Sequence, residues 1–598
     1  MKNKLIRVRA IIFFCMIVFL ITGCSSNKRQ PKKGENFITG TYETEIMGHN
    51  TNIKLAVTVD KSSIKSIEIL EHSETSGIAD PALEQIPKRI IEGQTLAVDA
   101  ISSCTITSVA ILDGVKQALT EAGADIDSLL VRKETFQEEE KIVREADVIV
   151  VGGGLAGLAA ATTVTELGGS VIVIEKMENC GGNTMRSGGT LNAVDPERQL
   201  EQGIVDSLEL YIKNTYEGGG EKGNLELIRK LCENSKSARD WISSYGGEWQ
   251  DSIYLTIGGR WPRSLDAKNN ATETLIDPLI KAIKNNNGEI VVNCKAEELI
   301  MEDGRVIGVK AYDINSKKEY ELYGTNGVIL ATGGFSANSD MVSQYNDTIP
   351  EDNPTTNSPS ATGDGIIMGQ AVGANIIDME NILLHPHSGT NVYFSGMIDN
   401  SIYVNQLGKR FVNEQLDRNE VCQEILEQPG AIVYAIFDSN VINEEFWSTQ
   451  DGYQDFIELA KAGKCGYGET LEELAESIGV DPIELEKSVR EFNQAVDGLI
   501  EDEFGRELFY KKIEDGPFYA SIRSAYTHYT IGGLEIDSQA RVKNTNGDTI
   551  PGLYAAGEVT GGIHGENRLG GNSLTECIVF GRIAGESILG SSNENAGE

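Results

Sequence analysis

A chain of 598 residues, 40% hydrophobic and 24% charged, has the composition of a globular protein and is too long for one core, so about two to four domains are expected. A formal net charge of −38 repels phosphate backbones, which argues against nucleic acid as a partner and fits a solvated acidic surface. The nine cysteines form no CxxC, CxxCH or ferredoxin spacing, so no haem, iron–sulfur cluster, zinc or other metal site is indicated.

Residues 1–23 read as a signal peptide. Lys2, Lys4, Arg7 and Arg9 precede the apolar run Ala10–Ile21, which is short for a membrane span. Ile21-Thr22-Gly23-Cys24 and the polar residues after it resemble a bacterial lipobox, with Cys24 as the lipidated first residue of the mature chain. The expectation is a protein anchored by lipid on the extracellular face of the cell membrane. A basic linker occupies 24–36.

Residues 37–131 form the next expected domain. Period-two alternation in Gly40–Ile46, Ile53–Val59 and Ile64–Leu70 predicts three antiparallel strands, and helical spacing predicts a helix over Val109–Leu119. Asp99-Ala100-Ile101-Ser102-Ser103-Cys104-Thr105-Ile106-Thr107-Ser108 resembles the segment of FMN-binding domains in which a flavin transferase joins FMN to a threonine hydroxyl through a phosphoester. The matching acceptor is Thr105, where Ser103-Cys104 replace the family's usual Gly-Ala. Covalent FMN cannot diffuse away outside a cell, and it would relay electrons from a membrane donor, a quinol or a flavin-based chain. The charged stretch 132–145 reads as a solvated linker or surface helix.

From Ala146 the rhythm becomes α/β. Asp147–Val151 is a buried strand, Leu155–Leu167 a helix, Ser170–Ile174 a strand, and Val328–Leu330 a further apolar strand before Ala331-Thr332-Gly333-Gly334. Between the first strand and helix, Gly152, Gly154 and Gly157 form GxGxxG, with Glu175 closing the next strand. Glycines let backbone approach a pyrophosphate, the helix N-terminus stabilises its charge, and the acid accepts ribose hydroxyls. Further glycine and small polar clusters at Gly181-Gly182-Asn183-Thr184, Ser187-Gly188-Gly189, Thr362-Gly363-Asp364-Gly365 and Gly557-Glu558 point to the longer FAD rather than NAD. The segment 381–525 lacks this rhythm, carries most of the long polar helices and reads as an inserted lid between 146–380 and 526–590.

With these motifs, and above all Pro551-Gly552-Leu553-Tyr554-Ala555-Ala556-Gly557-Glu558 leading to Asn567-Arg568-Leu569-Gly570-Gly571-Asn572-Ser573, the chain resembles the soluble fumarate reductase and urocanate reductase flavoproteins, relatives of the succinate dehydrogenase flavin subunit. The resemblance implies an α/β class: a Rossmann-like FAD-binding domain with an inserted capping (clamp) domain, beside a small N-terminal α+β FMN-binding domain. It implies FAD contacts at Ala156, Glu175, Asn183, Thr184, Gly189, Asp364, Tyr529, Glu558, Ser573 and Leu574. It also implies a substrate carboxylate held by His528 and Arg568 beside Gly571, and proton donation from Arg418. Arginine suits a carboxylate through two parallel charge-assisted bonds.

In fumarate reductases a Thr-Glu pair and an arginine serve the second carboxylate and the proton relay. The corresponding stretch here, Asn391-Val392-Tyr393-Phe394-Ser395-Gly396-Met397, holds neither acid nor arginine, whereas His385 keeps the family's histidine. A wall containing Tyr393 and Phe394 would leave a second carboxylate unpaired. The expected substrate is therefore a small α,β-unsaturated monocarboxylate of urocanate or arylacrylate type. Fumarate reduction proper, a dehydrogenase or oxidase of the same fold acting on a steroid or amino acid, and a surface electron carrier without turnover are the alternatives.

Overall fold

The computed structural model describes residues 36–74, 79–101, 104–130, 141–256, 258–388, 401–442, 465–509 and 511–594. The leader, Cys24 and nearly all of the basic linker lie outside them, as do Tyr393 and Phe394. Among the described residues no helix is long and apolar enough to cross a membrane. The chain divides into two compact units, Met1–Phe136 and Gln137–Glu598.

The first unit is an antiparallel sheet of β1 (Gly40–Met47), β2 (Asn52–Val59) and β3 (Ile64–Glu71), with α1 (Asp80–Gly93) and α2 (Thr105–Glu121). Alternation explains the strands: Ile53, Leu55, Val57 and Val59 are fully or almost fully buried. They share one core with Ile86 and Ile90 of α1 and Ile111, Val115 and Leu119 of α2. The helix α1 has no counterpart among the sequence expectations, because Pro81 and Pro87 mask its pattern; Pro81 sits in the first turn, where no N–H bond is lost.

The second unit contains β4 (Ile142–Val151), α3 (Leu155–Glu166), β5 (Val171–Ile174), β6 (Gly288–Val291) and β7 (Glu319–Leu330). After these come β8 (Ile382–His387), β9 (Ile402–Asn405), α4 (Arg418–Leu426), β10 (Val433–Asp438), β11 (Gly466–Gly468), β12 (Phe518–Thr530), β13 (Thr549–Ala555) and α5 (Asn572–Glu594). In the larger sheet β13, β7, β4, β5 and β6 lie side by side and all parallel. Parallel strands covered on both faces must be apolar throughout, as Val148–Val151 and Val171–Ile174 are.

Three expectations are corrected. Ile142–Glu145 is not linker but the first half of β4, paired with Tyr320–Tyr323. Its charges are met across the sheet, Arg144 by Glu289 and Lys141 by Glu321. The region 381–525 holds a second, antiparallel sheet in the order β8-β12-β10-β9, with β11 also on β12, and its longest described helix, Pro482–Val496, has 15 residues. Among the described residues the longer helices, α2 with 17 residues, Leu225–Ser244 with 20 and α5 with 23, lie elsewhere. Finally, the boundary at 525 falls inside the 13-residue β12, so the lid sheet and the strand carrying His528 are continuous.

Candidate active site

The nucleotide cleft forms where β4 ends. Gly152 has φ +111°, and a Cβ there would lie 2.2 Å from the Ala331 carbonyl oxygen; at Gly157 a Cβ would lie 2.0 Å from the Gly152 oxygen. Only glycine permits this turn and this approach of helix to strand. No side chain caps α3 at Gly154; the Ala156 N–H is met by the Cys577 sulfur, and the other N–H groups of the first turn are left for an anion. Glu175 accepts from the backbone N–H of Gly153 and Met177, both at 2.8 Å, and burial pushes its pKa up.

Together these groups border a cleft of about 790 Å³. Gly152, Gly154 and Ala156 line it from the turn, Glu175, Asn183 and Thr184 from one flank, and Asp364 and Glu558 from the other. Asn183 donates to Glu558 at 3.1 Å and accepts from the Ser358 N–H at 2.8 Å, tying two walls together. Burial raises the Glu558 pKa to about 7. Lys176 bonds Asp364 at 2.7 Å and Thr362 at 2.6 Å. A glycine turn, an uncapped helix start and a ribose-side acid along one elongated cleft fit a flavin dinucleotide. Gly157, Gly188, Gly189, Tyr529, Ser573 and Leu574 do not line it. Gly157 backs the turn, Ser573 and Leu574 sit in the first turn of α5, and Tyr529 belongs to the next cluster.

That cluster depends on an irregularity in β12. Leu383 pairs with Tyr529 but Leu384 pairs with Thr527, so His528 is an extra residue in a bulge. Consecutive strand residues normally face opposite sides; the bulge turns both His528 and Tyr529 toward the β8 face that carries Leu383 and His385. Tyr529 accordingly packs on Leu383, and the His528 ring lies 4.9 Å from the His385 ring. The His528 Nδ1 and the Thr356 hydroxyl share a 2.7 Å hydrogen bond. Burial, Arg418 and Arg568 push the His528 pKa well below its usual value, and burial and His528 do the same to His385.

Arg568 lies over the Tyr529 ring at 4.8 Å and is 4% exposed. Among the described residues its Nε has no hydrogen-bond partner and no carboxylate lies within ion-pairing distance; burial draws its pKa down. Beneath it, the Tyr529 hydroxyl donates to Glu576 at 2.8 Å, and His564 Nε2 shares the same carboxylate oxygen at 2.8 Å. Arg418 opens α4, which Asp417 and Glu420 cap reciprocally. Its Nη2 donates to the Arg568 carbonyl at 3.2 Å, while Asn567 donates to Asp417 at 3.1 Å. Gly571 has φ +81°, with a Cβ position 2.4 Å from Asn192 Oδ1. The Asn192 amide donates to the Gly570 carbonyl and the Asn572 side chain, both at 2.7 Å.

An FAD binding domain family matches residues 147–574 and an FMN-binding domain family matches 48–120. The urocanate reductase of Eggerthella lenta is 33% identical, covering 92% of both chains. The chain belongs to the fumarate and urocanate reductase flavoprotein family. It is an FAD-binding oxidoreductase with a further FMN-binding domain. The NADH:acrylate oxidoreductase of Vibrio harveyi is 37% identical over 92% of this chain, which spans 61% of that longer protein. An open flavocytochrome c3 fumarate reductase superposes with a TM-score of 0.64 at 31% identity, covering 74% of this chain and 78% of that one. A 3-ketosteroid-Δ4-(5α)-dehydrogenase from Rhodococcus jostii RHA1, TM-score 0.60 at 24% identity over 76% of this chain and all but 2% of its own, shares the fold alone.

Within this family member the structure brings His385, Arg418, His528 and Arg568 into one cluster. Thr105 belongs to the first unit, exposed at the start of α2, its hydroxyl donating to the Ile101 carbonyl at 3.3 Å. Sequence reasoning missed Lys176, Asn192, His564 and Glu576. For Glu576 there was a signal, a lone acid ahead of Cys577-Ile578-Val579-Phe580 that the helix buries completely.

Proposed function

We propose that this flavoenzyme reduces the C=C bond of a small α,β-unsaturated monocarboxylate, of urocanate or arylacrylate type, in anaerobic respiration outside the cytoplasm. The observation that carries the reading is Arg568: a buried guanidinium with an unpartnered Nε, beside a neutral histidine, is costly unless an anionic ligand completes it.

Bound FAD supplies the hydride that reaches the β-carbon. Arg568 pairs with the substrate carboxylate, and Tyr529 beneath it, held by Glu576, fixes the plane of the guanidinium. With Thr356 as donor to Nδ1, neutral His528 presents an Nε2–H to the same carboxylate. Both donors draw charge onto the carboxylate as the α-carbon becomes enolate-like. Arg418 delivers the proton to that carbon; arginine holds its proton tightly, so the transfer is brief and resupplied from solvent. The Arg418–Arg568 and Asp417–Asn567 bonds tie this donor to the clamp.

Thr105 would hold FMN, attached by a flavin transferase, which would supply one-electron relay chemistry between FAD and a membrane donor, a quinol or a flavin-based chain, with Cys24 lipidated to hold the protein at the membrane. The decisive assay offers purified holoenzyme a reduced viologen and a panel of enoates. Flavin reoxidation by at least one unsaturated carboxylate is expected; no turnover with any enoate, alongside oxygen-dependent oxidation of a saturated substrate, would sink the reading.

A further inference from the structure

The cleft-facing side of the lid sheet continues beyond the clamp. In the β8–β12 register His385 pairs with Tyr526 and His387 with Ser524, so these residues share the face that also bears His528. Ring centroids step outward from the clamp: His528 to His385 at 4.9 Å, His385 to His387 at 6.3 Å, and His387 to Tyr526 at 5.3 Å in an edge-on contact. All four are half-buried rather than sealed in the core. We infer that His387 and Tyr526 form the subsite for the substrate's tail and select an uncharged, planar, aromatic group that can hydrogen-bond, an inference that rests on the enoate reading above.

Three observations support it. Aromatic edges and faces on the wall match an aromatic ring on the ligand. Burial and Arg523 hold the His387 pKa at about 4, and His385 is also held well below its usual value, so both imidazoles are neutral donors and acceptors near neutral pH. Arg523, the cation whose charge reaches His387, is turned away: it donates to Ser521 Oγ at 2.7 Å and the Ile522 carbonyl at 2.8 Å, and it bonds the Tyr403 hydroxyl. Tyr403 pairs with Ala435 and Ala435 with Ser521, and Ser521 and Arg523 lie out of phase with Ser524 and Tyr526, so this group occupies the opposite face of the sheet. A second carboxylate at the tail would meet neutral rings and lose hydration without a matching charge. An aryl or imidazolyl tail would meet ring edges, an imidazole nitrogen and the Tyr526 hydroxyl.

The test uses holoenzyme and reduced viologen with acrylate, fumarate, urocanate and a 3-arylacrylate, comparing wild type with His387→Ala and Tyr526→Ala. The ratio of kcat/KM for the aryl or imidazolyl substrates to that for acrylate is expected to fall about tenfold in each variant. A ratio that stays within twofold overturns the inference, whether both activities fall together or neither does, and leaves the enoate reading standing. If wild type turns over no enoate, the enoate reading fails by itself. Flavin difference spectra titrated with 3-arylpropanoate and propanoate then decide the subsite: the variants must weaken only the former about tenfold, and equal affinities sink it. Fumarate preferred over every aryl substrate by wild type would also overturn it.

Discussion

The two units treat their flavin sites in opposite ways. In the first, the candidate acceptor Thr105 stands exposed at the start of a helix. In the second, Glu175 and Glu558 line a cleft of about 790 Å³, and these two acids and the separate pair Arg418 and Arg568 are all less than 9% exposed. A covalent bond holds a cofactor without a cradle and leaves it open to electron partners. A cofactor held by contacts alone, doing chemistry that water would spoil, needs enclosure and the desolvated charges that come with it.

The contrast breaks most sharply at Arg568. Arg568→Met should lower viologen-driven kcat/KM about a thousandfold with FAD content retained, since it removes a desolvated charge from the substrate carboxylate; steady-state kinetics with a flavin absorbance check reads this. Next comes the buried acid of the cleft. Burial moves Glu558 from 4.5 to about 7, so the folded apoprotein holds a proton that the unfolded chain releases. That contribution is complete below about pH 4.5 and is lost as pH rises through about 7, on the order of 3 kcal/mol. Urea unfolding of apoprotein at pH 5 and pH 8 should show this slope in wild type and a flatter one in Glu558→Gln.

Asn192 sharpens the same point for the turn that carries the clamp. Asn192→Ala leaves the buried Gly570 carbonyl unpaired and should cost about 1–3 kcal/mol, seen as a lower urea midpoint together with a raised KM. The smallest effect belongs to the exposed site. Thr105→Ala should abolish the fluorescent flavin band on a denaturing gel and lower quinol-driven activity about tenfold relative to viologen-driven activity. A band that persists would place the covalent flavin elsewhere.

Much of this is legible in the amino-acid sequence alone. The strand, glycine turn, helix and acid from Asp147 to Glu175 follow from local rules: a buried parallel strand must be apolar, and a backbone with φ +111° against the Ala331 oxygen must be glycine. Alternation likewise located β1, β2 and β3 to within a residue or two. The family motifs pointed to Arg568, His528 and Arg418, which the structure gathers into one cluster. Local pattern failed where pairing came from distant chain. Ile142–Glu145 reads as a charged connector because its partners, Tyr320–Tyr323, lie far along the sequence.

Periodicity and glycine stereochemistry therefore suffice for the nucleotide-binding frame, since each constraint there acts between near neighbours. The orientation of the proposed substrate-site groups was settled only by packing. His528 and Tyr529 are adjacent in sequence, and nothing in an alternating strand says that both face one side; a one-residue bulge opposite Leu383 and Leu384 does so. The same holds for Tyr529, Glu576 and His564, whose hydrogen bonds join a strand, a helix and a loop. Such contacts arise from the free-energy balance of the folded whole, in which a buried polar atom finds its partner in space rather than along the chain.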